Sequence, residues 1–343
     1  MLTIDGSRGE GGGQILRTAL GLSLVTGTPF RIEKIRAARG KPGLLRQHLT
    51  CVLAAEAIGL ATVRGAELRS TELEFEPGKI TPGKYDFQVG TAGSTSLVLQ
   101  AILPAMLRAP GPFVVTVSGG THNMKAPPYE FLDRAFGDQL RRMGADVRFD
   151  LDRHGFFPAG RGAVTAHVTP GSLRPLDLLE RGDPIHRHSI AQVAHLDESI
   201  AEREAIVVRE KMRWNPWECR VERVDESLGP GNVVILEIGH EHVTEVFTGF
   251  GRVGTKAEKV AGEACREARA WQDLDVPVGK HLADQLMIPC ALAGGGQFRT
   301  GPLSLHATTN LEVIEEFLDV PSRVEENDDG TVTVGFGDEG AGR

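Results

Sequence analysis

A glycine-rich loop near the N-terminus, GEGGGQILR at residues 9–17, could hold phosphate groups. Bare backbone N–H groups and the positive end of a helix both attract anions. Glu10 would repel phosphate unless a divalent cation lay between them, so the loop and Glu10 together predict a metal-bound triphosphate. Gln14 and Arg17 would project from the first turn of the following helix. A purely structural glycine loop is the alternative at this point.

A basic segment follows at residues 31–48. It carries six lysines and arginines against a single glutamate, inside a chain whose net charge is −8. Arg36 and Arg39, three residues apart before the start of a predicted helix, are suited to bidentate contacts with phosphate. Gln47 and His48 lie in the first turns of that helix. A solvated charged surface is the alternative.

His306 is the candidate nucleophile, in the segment LSLHATTN at residues 303–310. We place it at the end of a predicted strand, before small and hydrogen-bonding residues. A neutral imidazole can attack phosphorus without a separate base. A lone histidine is more often structural, and the chain has eleven histidines, so spacing alone does not single out His306.

Composition limits the class of protein. A chain of 343 residues, 41% of them hydrophobic, is long enough for two domains. Its four cysteines lie far apart without a CxxC pair, which argues against a zinc site and a disulfide framework. The negative net charge argues against indiscriminate coating of nucleic acid. The sequence has neither a long apolar run nor a signal-peptide pattern, so we expect a cytoplasmic protein with no membrane attachment.

Three segments share a pattern when they are aligned on Gln14, Gln100 and Gln285. The first two glutamines are 86 residues apart, whereas the second and third are 185 apart, an excess of 99. This spacing predicts a repeated unit whose third copy is interrupted by an inserted domain. We predict the insert at residues 182–276, between Gly/Pro turns, and a core formed by residues 1–181 and 277–343.

The apolar periodicity predicts an α+β fold. Within the insert, Ala191 to Met212 and Thr255 to Asp273 read as helices around a buried strand at Val233 to Ile238. In the core we predict helices at 44–59 and 128–144 and strands at 71–75, 85–89 and 331–334.

Ten motifs occur in the order found in the RNA 3′-terminal phosphate cyclase family, which this chain resembles from about residue 1 to 318. They are DGS, GEGGGQILRTAL, IRAARGKPGLLRQHLT, GTAGSTSLVLQ, SGGTHN, HGFFPAGRG, GPGN, LADQL, ALAGGGQF and HATTN. The resemblance implies a core of repeated two-helix, four-strand units that a smaller α/β insert domain interrupts.

The resemblance also implies roles for individual residues. His306 would accept AMP, assisted by Arg17, Arg36 and Arg39, and Glu10 would hold a metal ion. Many bacterial members of the family have tyrosine where this chain has His281, opposite Pro127, so the adenine would stack on a smaller ring. The nucleotide would contact Gln14, Gln100, Pro127, His281, Asp284 and Gln285, and the RNA phosphate would contact Arg36, Arg39, Gln47 and His48.

The implied activity is ATP-dependent closure of an RNA 3′-phosphate into a 2′,3′-cyclic phosphodiester, with Mg²⁺ or Mn²⁺. It would proceed through a histidine-bound AMP and an RNA(3′)pp(5′)A intermediate. Two alternatives stay open: an inactive relative that binds partners in rRNA processing, which would lack the histidine and arginines, and an enolpyruvyl transferase, which needs no covalent histidine. The oligomeric state is also open, with a homodimer as one possibility.

Overall fold

The computed structural model describes residues 1–337 and contains three units built in the same order. In the first, β1 is parallel to β2, and β4 pairs antiparallel with both β2 and β3, giving the sheet order β1-β2-β4-β3. Its elements are β1 (Leu2–Asp5), α1 (Gln14–Thr26), β2 (Phe30–Glu33), α2 (Arg46–Gly59), β3 (Thr62–Arg64) and β4 (Leu73–Glu76).

The second unit repeats this topology in the order β5-β6-β8-β7, again with one parallel pair followed by two antiparallel pairs. Its second helix differs, because it begins as a π-helical segment, Phe131–Gly137. Its elements are β5 (Gly83–Gln88), α3 (Thr95–Leu107), β6 (Phe113–Gly119), the π-helical segment continuing into α4 (Asp138–Arg142), β7 (Asp146–Arg153) and β8 (Gly162–Thr169).

A separate four-stranded sheet follows β9 (Leu176–Leu178), the first strand of the third unit. This sheet has the order β11-β10-β12-β13, and two helices accompany it. Its elements are β10 (Pro184–Ala194), α5 (Ser199–Met212), a 3₁₀ turn (Pro216–Glu218), β11 (Cys219–Arg223), β12 (Gly231–His240), β13 (Thr244–Phe250) and α6 (Ala257–Leu274).

The third unit then resumes, and β14 pairs in parallel with β9 across this long intervening segment. The resulting sheet, β15-β16-β14-β9, has the topology of the other two. Its later elements are α7 (Lys280–Leu292), β14 (Gly296–Thr300), α8 (Leu305–Phe317), β15 (Ser322–Glu326) and β16 (Val332–Phe336). The predicted α+β fold with repeated units is therefore confirmed.

The alignment on glutamine is wrong by five positions in the first unit. Gln14 is the first residue of α1, whereas Gln100 and Gln285 are each the sixth residue of α3 and α7. Pro104 and Pro289, the tenth residue of each helix, mark the true correspondence between the second and third units. Apolar residues recur every three to four positions in any amphipathic helix, so a shifted alignment still matches.

The predicted helix at Ala191 to Met212 is also wrong in its first part. Ala191 to Ala194 end strand β10, where Ala191 to Val193 pair with both β11 and β12, and α5 begins only at Ser199. Burial between two neighbouring strands overrides the helix preference of alanine. The predicted strands and helices elsewhere agree in type, with small shifts at their ends, whereas several further strands, including β7, β8 and β15, had no counterpart in the prediction.

Helix packing in the core brings several helix N-termini together. Helix α1 packs between α3 and α8, and α7 packs on α8, with apolar side chains such as Leu20, Leu99 and Ile314 fully buried. The loops that precede α1, α7 and α8 therefore open into the same region. None of the helices in residues 1–337 is both long and apolar enough to cross a membrane.

We propose that residues 182–276 form an inserted domain, because their four strands pair only with one another among the described strands. Replacing Pro184 to Asp275 with a short Gly/Ser bridge should leave a core that melts cooperatively. Its melting temperature should fall, because buried Glu245 accepts a hydrogen bond from the Gly279 backbone N–H (2.6 Å). Calorimetry of several linker designs tests this, and a chain unfolded in all of them would contradict the boundary.

Candidate functional site

The glycine-rich loop connects β1 to α1 and has no room for side chains. A Cβ atom on Gly12 would collide with the Glu10 carboxylate and the Arg39 guanidinium, and one on Gly13 would collide with the His48 ring. The loop backbone therefore runs directly against these three side chains. The loop leads into the N-terminus of α1, whose positive end favours an anion there.

Glu10 is buried and holds this region together through both carboxylate oxygens. Arg39 donates to Oε2, and the Gln14 backbone N–H donates to Oε1 at 3.2 Å. The backbone N–H of Glu10 itself donates to Oγ1 of Thr309 in α8, at 3.0 Å. Glu10 thus links the first unit to the third and keeps the Arg39 side chain close to the loop.

His306 is the second residue of α8, not a residue at the end of a strand as predicted. Strand β14 ends at Thr300, and Ser304 caps α8 by accepting a hydrogen bond from the Ala307 N–H (3.2 Å). The leucines around His306 produced the false strand pattern. The side chain of His306 is 52% exposed, so its ring is open to a ligand in the region that the glycine loop faces.

A chain of hydrogen bonds joins Asp284, Gln14 and His306, from three different helices. The Gln14 Nε2 group donates to Oδ2 of Asp284 at 3.2 Å, and the Gln14 Oε1 atom lies 2.7 Å from Nδ1 of His306. Because a carboxylate can only accept, it directs the amide nitrogen of Gln14 to itself and the amide oxygen to His306. Nδ1 of His306 then carries the proton and Nε2 keeps a free lone pair.

Asp284 sits in the cleft between α1, α3 and α7. Enclosure by the cleft raises the pKa of Asp284 to about 6, even though hydrogen bonds from Gln285 and Gln14 and the charge of Arg17 act to lower it. Above about pH 6 the group is a carboxylate and orients Gln14 as described. Below that pH a protonated Asp284 could donate instead, and the orientation of the amide would no longer be fixed.

His48 lies under the glycine loop and is buried. Burial, followed by the charges of Arg17 and Arg36, lowers the pKa of His48 to about 3. The ring is therefore neutral near pH 7, and its Nδ1 atom has no hydrogen-bond partner within the described residues. His48 can thus supply a neutral N–H donor or acceptor to a ligand but not a positive charge.

Arg36 and Arg39 differ in surroundings although they are only three residues apart. The NH1 group of Arg36 donates to the backbone oxygens of Lys41 (2.5 Å) and Gly43 (2.8 Å), and the residue is buried. Arg39 is 44% exposed and is paired with Glu10. Arg36 thus fixes the shape of its loop, whereas Arg39 can turn towards a ligand. Gln47 has a similar supporting contact, since its Oε1 accepts the Ser94 N–H at 2.7 Å.

The first helices of the three units line a single cleft. Gln100 has a buried Nε2 group without a hydrogen-bond partner in the described part of the chain, which leaves it available to a ligand. Apolar residues of α3 and α7, including Leu103 and Ile288, form the deeper wall. The predicted residues in this cleft are Gln14, Arg17, Gln100, Asp284 and Gln285.

His281 and Pro127, the two residues of the predicted adenine clamp, lie in different elements of the fold. His281 is the second residue of α7 and is exposed to solvent. Its pKa is lowered by desolvation and then by the charges of Lys280 and His306. His306 is among the groups that act on the pKa of His281, so the two residues are neighbours in the fold. Pro127 is half-buried in the loop between β6 and the π-helical segment, and its place beside adenine stays a prediction.

Three supporting residues were not assigned a role from the sequence. The Thr18 hydroxyl donates to Oδ1 of Asn310 (2.6 Å), and the Asn310 amide donates to the backbone oxygen of Asp284 (2.7 Å). With Thr309, these contacts fasten α8 to α1 and α7. The run of small and hydrogen-bonding residues after His306 was the available signal, but it did not show which partners they would find.

Comparison with known proteins identifies the family. A family model described as RNA 3′-terminal phosphate cyclase matches residues 8–324. Relatives named RNA 3′-terminal phosphate cyclase include one from Koribacter versatilis, 50% identical over 329 residues that cover 96% of this chain and 93% of the relative. One from Pseudomonas fluorescens is 51% identical over 325 residues, 95% of this chain and 94% of the relative.

A third relative of the same name, from Salmonella typhimurium, is 46% identical over 331 residues, covering 96% of this chain and 97% of its own length. The match therefore extends over the three units and over the sheet that lies between β9 and α7. The chain belongs to the RNA 3′-terminal phosphate cyclase family.

Proposed function

We propose that this protein converts an RNA 3′-phosphate into a 2′,3′-cyclic phosphodiester at the expense of ATP, with His306 as the residue that carries AMP. The observation that carries the proposal is the hydrogen-bond chain from Asp284 through Gln14 to Nδ1 of His306, which leaves Nε2 free as a nucleophile. The names of the relatives support the overall reaction.

The chemistry requires activation, because a phosphate monoester has no leaving group that a neighbouring 2′-hydroxyl could displace. In the first step, Nε2 of His306 forms a bond to the α-phosphorus of ATP, and the bond to pyrophosphate breaks. An oxygen of the RNA 3′-phosphate then takes AMP, and the P–N bond breaks. Finally the 2′-oxygen loses its proton and attacks the 3′-phosphorus, and AMP leaves.

The glycine loop and the neighbouring cations bind the phosphates. The N-termini of α1 and α8 lie together and attract negative charge, and Arg17 and Arg39 stabilise the charge on the transferring group. Of the two arginines, Arg39 is the one that can move, because its guanidinium can leave Glu10 and bind phosphate instead. Arg36 acts by holding the loop through backbone oxygens, and with Gln47 and His48 it completes the proposed RNA-phosphate pocket.

Glu10 is the proposed protein ligand for Mg²⁺ or Mn²⁺. A single carboxylate fits such an ion, since Mg²⁺ in nucleotide sites binds one or two carboxylates and takes its other ligands from phosphates and water. The ion would neutralise the triphosphate during attack by His306. The buried Glu10 carboxylate would otherwise repel that triphosphate, and its pairing with the Arg39 guanidinium supports the placement of a cation beside it.

The cleft between α1, α3 and α7 is the proposed nucleotide pocket. Gln100, Asp284 and Gln285 offer donors and acceptors, and His281 and Pro127 are the proposed faces of the adenine clamp. Imidazole provides less stacking area than a tyrosine ring. We therefore expect this protein to need a higher ATP concentration for half-maximal activity than relatives with tyrosine at this position.

The His306→Ala variant tests the proposal. It removes the attacking nitrogen, and the exposed ring contributes little to the core, so the variant should fold normally. We expect no labelled protein after incubation with α-labelled ATP and no cyclisation of RNA 3′-phosphate. Given preformed RNA(3′)pp(5′)A, the same variant should still form cyclic phosphate, because AMP is already in place and only the 2′-oxygen must be positioned.

Two further variants control this experiment. His167→Ala, at a remote residue of β8, should label and cyclise normally, and His281→Ala should still label but at a higher ATP concentration. Label on a histidine of His306→Ala protein would show that the nucleophile is another residue. If the unaltered protein is never labelled and never cyclises RNA, the proposed function is wrong.

Arg39→Ala and Arg36→Ala should fail in different ways. Arg39→Ala should lower the cyclisation rate by a factor of roughly 10², because it removes a charge donor from the transition state. It should also lower stability, because buried Glu10 loses its partner. Arg36→Ala should reduce the free energy of unfolding by about 1–3 kcal/mol, because two backbone acceptors lose their donor. Urea unfolding and single-turnover kinetics of both variants measure these effects, and near-normal cyclisation by Arg39→Ala would contradict the proposed role of Arg39.

A further inference from the structure

Two histidines and a glutamate face each other on the inserted sheet, far along the chain from the site described above. His186 and His188 are two residues apart on β10, and alternate residues of a strand point to the same face. His188 is the cross-strand partner of Glu237 on β12. The pairing register therefore places both imidazoles beside one carboxylate.

The ligand atoms of these three side chains are close enough to share one ion. Nε2 of His186 is 2.8 Å from Oε1 of Glu237, and Nε2 of His188 is 3.7 Å from Oε2. All three groups offer a ligand atom within 4.8 Å of the others. Ligands bound to one zinc ion at about 2.0–2.2 Å stand roughly 3–4 Å apart, so only small side-chain movements are needed.

We propose that His186, His188 and Glu237 form a binding site for a divalent transition metal of the zinc class. Two imidazoles and one carboxylate suit Zn²⁺, Co²⁺ or Ni²⁺, whereas Mg²⁺ prefers oxygen ligands. Glu237 is buried and His186 is exposed, so the ion would have protein on one side and water at its remaining positions. This site is separate from the one proposed at Glu10.

The simpler reading of the cluster is a hydrogen-bonded ion pair, because Arg134 donates to Oε2 of Glu237 at 2.6 Å. That contact leaves Oε1 facing His186. A metal ion would take the position between Nε2 of His186 and Oε1, and the ring would bind it as the neutral tautomer that carries its proton on Nδ1. Arg134 would remain on Oε2 and orient the carboxylate, as groups behind metal ligands commonly do.

The location gives the site a measurable effect on stability. Arg134 belongs to the π-helical segment of the second unit, and Glu237 belongs to the inserted sheet, so their contact joins the core to the insert. An ion that binds only the folded arrangement stabilises it by mass action. Zn²⁺ should therefore raise the melting temperature of the full-length protein.

Tag-free, chelator-treated protein without ATP should be titrated with Zn²⁺ by calorimetry and with Co²⁺ by visible absorption. We expect one equivalent to bind, and excess Mg²⁺ should not displace it. His186→Ala and His188→Ala should each weaken binding by on the order of 100-fold and abolish the melting shift. His167→Ala is the matched control and should bind as the unaltered protein does.

Circular dichroism checks that each variant folds. If His188→Ala does not fold, His186→Ala alone tests the proposal, because the His186 side chain is exposed and its loss should not disturb the fold. Absence of a one-equivalent site in the unaltered protein would overturn the proposal. So would Zn²⁺ or Co²⁺ binding that is equally strong in His186→Ala, since the ion would then lie elsewhere.

Discussion

The hydrogen bonds that run from Asp284 through Gln14 to His306 are the constraint on which the site depends. They join α7, α1 and α8, which come from two units of the core, and they set both the direction of the His306 ring and the nitrogen that carries its proton. The contacts of Glu10 with Thr309 and of Asn310 with the Asp284 backbone hold the same three helices in place. The proposed nucleophile is thus positioned by the packing of repeated units.

Burial divides the surrounding polar groups into those that shape the site and those that can move. His48 is neutral under the loop, and Arg36 is committed to backbone oxygens, so neither is free to follow a ligand. Arg39 and His306 are both partly exposed, so a ligand can reach them. Buried, fixed groups beneath accessible ones suit stepwise transfer of a nucleotidyl group, because the proposed steps act first on the α-phosphorus of ATP and then on the RNA 3′-phosphorus, and both must be held in the same site.

Sequence patterns predicted the repeated units, because helix starts, turns and spacing are local properties, whereas the bounds of the insert and the roles of the site residues stay predictions. They did not predict the true register of the first unit, since helical periodicity tolerates shifts, or the strand at Ala191 to Ala194, whose burial depends on neighbouring strands. The partners of Arg36 and the meeting of His186 with Glu237 arise from tertiary contacts. Such contacts leave no local signal in the residues that make them.

Nitrogen-15 NMR of protein labelled at histidine measures the tautomer of His306 directly. We predict that at pH 7.5 Nδ1 of His306 is protonated and Nε2 is not, and that after ATP is added phosphorus is bonded to Nε2. In Asp284→Asn protein the Gln14 amide loses its fixed orientation, and a mixture of tautomers should appear. A proton on Nε2 in the unaltered enzyme, or AMP bonded to Nδ1, would contradict the account.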